Sequence, residues 1–269
     1  MQKKVLLTAR LTELGLCADE KEARALVMAG EVYVDGQRAL AGQKVSLDAA
    51  LHVRGRAPYV GKGGLKLSGA LEDFQLDVSG RVCIDAGAST GGYTDCLVQR
   101  GAALVYAVDV GFGQLMGSLR QNPTVVNLEK TNIGDEKLLS LSPRPTLGTV
   151  DLSYLSLTKG IPQFARVLHE TGELVCLVKP LFEIDDAQAR RTGEIAPEQY
   201  APVLLQLIDF VNALPYASAR NVTFSRVTGN AGTREFFLHV ALGEKAAPDL
   251  RAAVRLAVEG ALSLKEYKK

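Results

Sequence analysis

The stretch Val82-Cys-Ile-Asp-Ala-Gly-Ala-Ser-Thr-Gly-Gly-Tyr-Thr-Asp-Cys-Leu97 carries the clearest chemical signal in the chain. It reads as a strand ending at Asp85, a turn of small residues, and the first turns of a helix. Small side chains at Gly87, Ser89, Thr90, Gly91 and Gly92 let a ligand approach the backbone, and the helix start presents free N–H groups to it. Asp109 ends the next strand, Leu104-Val-Tyr-Ala-Val-Asp, where nucleotide-binding folds put a carboxylate that accepts hydrogen bonds from ribose hydroxyls. Together these residues predict a site for an adenosine-containing ligand. Gly87-x-Ser89-x-x-Gly92 alone also fits a degraded dinucleotide fingerprint or a purely structural tight turn.

Four further charged residues sit at predicted strand or helix edges: Lys66, Asp151, Lys179 and Glu235. Asp151 and Lys179 fall at the C-terminal ends of predicted parallel strands, the edge at which such sheets bind ligands. Alkylating a hydroxyl requires a base for a weakly acidic proton, and lysine serves when desolvated or set beside another cation.

The elements that must position these residues are legible in the apolar pattern. Strands are predicted near 81–86, 103–109, 123–128, 147–152, 172–179, 219–227 and 235–242, with helices between most of them and a final antiparallel hairpin. The expectation is a seven-stranded, Rossmann-like α/β domain, with a last helix over 250–263 packed on its outside. Upstream, Glu20–Gly30 reads as a helix capped by Asp19 and closed by a glycine. Glu31-Val-Tyr-Val-Asp-Gly-Gln37 then reads as a strand running into a tight turn, and a strand over 50–54 completes a small α+β unit. Residues 1–58 are read as this unit, 59–63 as a Gly-rich linker and 64–269 as the larger domain.

The 269 residues are 47% hydrophobic and 23% charged, which excludes disordered and collagen-like classes. The formal charge of +1 hides an asymmetry: residues 1–66 hold 11 basic and 7 acidic side chains, so this part is basic and the remainder mildly acidic. The cysteines at 17, 83, 96 and 176 form no CxxC pair, and with three histidines they make no zinc set, so reduced thiols and no metal are expected. No stretch approaches the roughly 20 apolar residues of a membrane span. A cytoplasmic protein without a membrane partner is the expectation.

Lys66-Leu-Ser-Gly-Ala-Leu, Asp85-Ala-Gly-Ala-Ser-Thr-Gly-Gly-Tyr-Thr-Asp-Cys, Tyr106-Ala-Val-Asp-Val-Gly, Asp151-Leu-Ser-Tyr-Leu-Ser-Leu and Val178-Lys-Pro-Leu-Phe-Glu, in this order, resemble the TlyA (hemolysin A) family. That family joins an S-four-like RNA-binding domain, which the helix, Gly and Val-x-Val-Asp-Gly pattern of residues 20–36 also resembles, to an FtsJ-like methyltransferase. The resemblance implies transfer of methyl from S-adenosylmethionine to ribose 2′-hydroxyls of ribosomal RNA, in free or subunit form. It implies a Lys-Asp-Lys-Glu tetrad at Lys66, Asp151, Lys179 and Glu235. In it Lys179 is the base, Lys66 and Asp151 orient the hydroxyl and the methyl donor, and Glu235 holds the lysines. Asp85, the turn at 87–92 and Asp109 would hold the cofactor, with Asn132 near its adenine. Lys21, Arg24, Arg38 and Lys44 of the small unit would meet RNA phosphates, joined by Lys62, Lys66 and Arg234 near the cleft.

Three other readings stand beside this one. The basic residues of the first unit also fit a solvated face. A membrane-active cytolysin would need an inserting segment, for which only the charged helix near 250–263 offers itself. A noncatalytic ribosome-binding protein would not need the Lys-Asp-Lys set.

Overall fold

A computed structural model describes residues 4–13, 16–17, 19–46, 49, 51–55, 58–153, 155–184, 186–229, 232–243, 245 and 247–264. Tyr154, which belongs to a motif discussed above, lies outside the described residues. The chain divides into two compact units, Met1–Val60 and Gly61–Lys269.

In the first unit, β1 (Lys4–Leu6) leads into α1 (Leu7–Glu13), followed by α2 (Glu20–Ala29), β2 (Val32–Val34), β3 (Gln37–Arg38), β4 (Lys44–Ser46) and β5 (Leu51–Val53). The α2 signals act as expected. The Asp19 carboxylate accepts from the Glu22 N–H at 2.8 Å, and Gly30 closes the helix at φ 72°. Asp35 and Gly36 both take positive φ, 49° and 79°, so β2 and β3 form a tight hairpin, and β5 pairs with the other edge of β2. Leu7, Leu11, Ala23, Val27, Val32, Val45 and Val53 form its core.

The second unit opens with α3 (Lys62–Phe74) and continues through β6 (Val82–Ala86), α4 (Gly92–Gln99), β7 (Leu104–Val108), the short α5 (Gly117–Arg120), β8 (Val125–Leu128) and a 3₁₀ turn over Glu136–Ser140. There follow β9 (Leu147–Val150), α6 (Leu157–Val167), β10 (Gly172–Val178), α7 (Pro180–Glu183), α8 (Ala187–Thr192), α9 (Pro197–Ala213), β11 (Ala217–Phe224), β12 (Phe236–Leu242) and α10 (Arg251–Ser263). The seven strands form one sheet in the order β11-β12-β10-β9-β6-β7-β8, and β12 runs antiparallel to both of its neighbours. The central strands are buried along almost their whole length, which is why they read as unbroken apolar runs.

α3 begins at Lys62, inside the segment expected to be a linker. The glycines there serve close packing: a Cβ on Gly63 would lie 3.1 Å from the Tyr93 ring, and one on Gly92 would lie 3.0 Å from the Gly64 nitrogen. The start of α3 is thus pressed against the start of α4. Among the described residues, no helix is long and apolar enough to cross a membrane.

From β6 the chain builds outward to β7 and β8, then returns across β6 to β9, so strand order reverses between β6 and β9. Asp85 bolts this junction. It is fully buried, and its two carboxylate oxygens accept from Thr94 Oγ1 of α4 at 2.7 Å and Thr149 Oγ1 of β9 at 2.9 Å. Burial pushes its carboxyl up from the ordinary 3.8 to about 6, against the two threonine hydrogen bonds. A carboxyl raised on folding favours the folded state at pH below about 4. That contribution is lost as pH rises through about 6, by roughly 3 kcal/mol over the whole window. Asp85→Asn removes this titration. The stability of wild type relative to Asp85→Asn, measured by urea unfolding, should therefore fall as pH is raised from about 4 to about 7; a difference independent of pH contradicts the assignment.

Candidate active site

The reversal of strand order opens a crevice at the C-terminal ends of β6 and β9, where Asp151 and Lys179 follow β9 and β10 and are joined by Lys66 of α3 and by Glu235, the residue before β12. The Asp151 N–H donates to the Ala86 carbonyl at 3.1 Å just past the paired strands. A Cβ at Gly87, which has φ 87°, would collide with the Asp151 carbonyl, so this position requires glycine on two counts. Lys179 follows the last residue of β10, and its Nζ meets Asp151 Oδ1 at 2.5 Å and the Leu152 carbonyl at 3.2 Å. Lys66, one turn into α3, meets Glu235 Oε2 at 2.5 Å, with both side chains largely buried.

The two ion pairs belong to one electrostatic cluster. Burial raises the Glu235 carboxyl above its usual range. Lys66 opposes that rise, the negative charge of Asp151 adds to it, and Lys179 opposes it. Buried pairs of this kind rarely repay their desolvation in stability, so their concentration at a ligand-binding edge points to chemistry. Lys179 and Glu235 also line a cavity of about 1030 Å³, together with Phe182, Tyr200 and Arg234. Arg234 donates through Nη2 to the Leu264 carbonyl at 2.9 Å, while its Nη1 is buried and, among the described residues, has no hydrogen-bond partner.

The expected cofactor residues divide into two groups. Asp109 accepts from the backbone N–H groups of Ser89 at 2.8 Å and Gly111 at 2.7 Å, one on each oxygen. A carboxylate has about four acceptor positions, so capacity for ribose hydroxyls remains. Ser89 and Thr90 are exposed beside it. Asp85, by contrast, spends its oxygens on Thr94 and Thr149 inside the protein, and it supports the turn without facing a ligand. Gly91 and Gly92 owe their small size to protein packing: a Cβ on Gly91 would run into Leu119 and Leu115, and one on Gly92 into Gly64 and Gly63. Asn132 is exposed, and its Oδ1 accepts from the Gly134 N–H at 2.9 Å, which shapes the loop after β8.

Among the expected RNA contacts, Lys21 and Arg24 are exposed on α2, Arg38 on β3 and Lys44 on β4. Arg24 lies 3.5 Å from Glu20, and Arg38 Nε donates to the Gly30 carbonyl at 3.0 Å. Lys62 is exposed at the start of α3.

Sequence reasoning missed Glu183. It accepts from Ser156 Oγ at 2.7 Å and from the Leu157 N–H at 2.9 Å, capping α6 from the segment that carries Lys179. It thereby ties the chain after Lys179 to the chain after Asp151. Its place in the Val178-Lys-Pro-Leu-Phe-Glu motif was visible, but its partner 26 residues upstream was not.

The residues present fit S-adenosylmethionine. Acceptors at Asp109 suit ribose hydroxyls, and the carboxylates of Asp151 and Glu235 suit a ligand with a positive sulfonium and ammonium group. Comparison with known proteins agrees. The model of the FtsJ-like methyltransferase family matches residues 59–242. The 16S/23S rRNA (cytidine-2′-O)-methyltransferase TlyA of Mycobacterium tuberculosis is 38% identical over 242 residues, covering 88% of this chain and 90% of that protein. Hemolysin A of Brachyspira hyodysenteriae is 31% identical over 229 residues, covering 84% and 95%. The solved structure of a hemolysin-named protein from Streptococcus thermophilus superimposes with a TM-score of 0.70 at 32% identity, covering 97% of each chain. The chain therefore belongs to the FtsJ-like methyltransferase family, in the group that holds TlyA and hemolysin A, and its methyl donor is S-adenosylmethionine.

Proposed function

We propose that this enzyme methylates ribose 2′-hydroxyls of ribosomal RNA, with Lys179 as the base. The observation that carries the reading is the meeting of the Lys179–Asp151 and Lys66–Glu235 pairs at the switch point of the sheet. The rRNA substrate is supported by the TlyA relative, which is named for that reaction. A ribosomal substrate sets the work in the cytoplasm.

In this mechanism Lys179, as the free amine, accepts the hydroxyl proton at Nζ while Asp151 fixes the direction of its side chain. S-adenosylmethionine, which Asp109 and the exposed turn at Ser89 and Thr90 would hold, would supply an electrophilic methyl group for the ribose oxygen, with its sulfur as the leaving group. Lys66, anchored by Glu235, orients the hydroxyl from the α3 side. The proton on Lys179 then passes to solvent. The target nucleotide, unstacked from its helix, enters beside Lys179 through the cavity lined by Phe182 and Arg234.

The exposed cations of the first unit, Lys21, Arg24, Arg38 and Lys44, supply salt-dependent phosphate contacts in this reading. Their number is small, so Lys62 and Arg234 of the second unit add to them.

Lys179→Ala should lower the rate of labelled methyl transfer to unmodified ribosomal subunits by about 10²–10⁴-fold and leave S-adenosylmethionine affinity in calorimetry nearly unchanged. Full activity in that variant would overturn the assignment of the base. Lys21→Ala combined with Lys44→Ala should weaken rRNA binding and reduce its salt slope by about 1 per cation removed, as read from binding isotherms at several salt concentrations. An unchanged slope would place both side chains outside the RNA interface.

A further inference from the structure

The loop that follows β7 leaves three large apolar side chains in water directly after Asp109: Val110 and Phe112, each 70% exposed, and Met116, 46% exposed. Single apolar residues scattered over a surface need no explanation, but a group of them at the ligand-binding edge of a sheet does. None of the three lines the cavity beside Lys179.

Phe112 belongs to a built structure. The Gly111 N–H donates to Asp109 Oδ1 at 2.7 Å, the Lys130 N–H to the Gly111 carbonyl at 3.0 Å, and the Gly113 N–H to Glu129 Oε1 at 2.9 Å. The loops after β7 and β8 are thus laced together on both sides of Phe112. Lys130 takes a φ of 52°, a left-handed conformation that lysine rarely adopts, and it holds its ammonium over the Phe112 ring, 4.4 Å from the centroid. The neighbouring carboxylate of Glu129 is turned to Gly113 and to Arg120, 3.4 Å away, so it does not take up the lysine charge. The result is an aromatic ring open to solvent with an exposed cation beside it.

Such a pair suits a nucleotide of an RNA chain. An unstacked base gains by lying on an aromatic face whatever its identity, and the adjoining phosphates suit an exposed lysine. It suits the cofactor poorly. S-adenosylmethionine carries no phosphate, and its positive groups gain nothing from a lysine. A small ligand is held in a concave site that buries most of its surface, whereas Phe112 keeps 70% of its own exposed. In the sheet β7 lies three places from β10, roughly 14 Å at ordinary strand spacing, which a short run of RNA spans from a target nucleotide at Lys179.

We propose that Phe112 and Lys130 form a stacking platform for an unpaired base of the ribosomal RNA outside the target nucleotide, with the base on the Phe112 ring and an adjoining phosphate against Lys130. The inference rests on the reading of ribosomal RNA as the substrate. Stacking of this kind tolerates any base, so the platform supplies affinity and register without choosing the sequence.

The test uses three variants of the full-length protein. Phe112→Leu keeps apolar bulk and removes the stacking face, Phe112→Trp keeps that face, and Lys130→Gln removes the charge. Thermal unfolding checks that each variant is folded. Binding to unmodified ribosomal subunits is read from isotherms at several salt concentrations, and S-adenosylmethionine binding from calorimetry. Phe112→Leu should weaken subunit binding by about 5- to 150-fold with cofactor affinity unchanged, and Phe112→Trp should bind as wild type does. Lys130→Gln should reduce the salt slope by about 1. Wild-type subunit affinity in Phe112→Leu overturns the proposal, as does an unchanged slope in Lys130→Gln. A loss of S-adenosylmethionine affinity in Phe112→Leu assigns the ring to the cofactor and overturns it too. The wild-type protein, measured in parallel, separates the two levels. If it methylates the subunits while Phe112→Leu binds them equally well, this inference alone falls; if it neither binds nor methylates them, the reading of ribosomal RNA as substrate falls and takes this inference with it.

Discussion

The close approach of the Gly87 backbone to the Asp151 carbonyl is the contact on which the rest of the catalytic unit depends. It exists because strand order reverses between β6 and β9, so the loops leaving two adjacent parallel strands must part in opposite directions. No side chain fits at residue 87, and the Asp151 N–H is already fixed to Ala86. Asp151 is therefore set by backbone geometry, and Lys179 is set by Asp151. Asp85 holds the same junction from below by joining β6 to β9 and α4 through two threonines.

A second set of constraints brings Lys66 and Glu235 to this point from opposite ends of the unit. Lys66 comes from α3, whose start is pressed against α4 through Gly63, Gly64 and Gly92. Glu235 comes from the residue before β12, the strand inserted antiparallel between β10 and β11. Insertion of β12 beside β10 places Glu235 next to the end of the strand that delivers Lys179. The cluster thus joins residues whose sequence separation reaches 169.

Much of this was legible from residue types alone. The strands stood out because a sheet covered on both faces needs unbroken apolar runs, and α2 stood out because Asp19 and Gly30 are chemically fitted to its two ends. The four tetrad candidates were visible as charges at strand edges and as motif members, and the structure brings them together. Pairings over long distances were not legible. Asp85 resembles a ligand-facing carboxylate until Thr149, 64 residues away, is seen to be its partner. The glycines at 61 and 63 read as a linker because composition does not distinguish a flexible segment from two backbones packed at van der Waals distance.

The central claim is that this arrangement of lysines and carboxylates alkylates an alcohol oxygen on ribosomal RNA. The most direct measurement is to incubate the protein with labelled S-adenosylmethionine and unmodified ribosomal subunits, digest the RNA with alkali, and locate the label. A ribose 2′-O-methyl group blocks cleavage of the following phosphodiester, so the account predicts label in alkali-resistant dinucleotides. Label confined to mononucleotides, which marks methylation of a base, or no label in RNA at all, would contradict it.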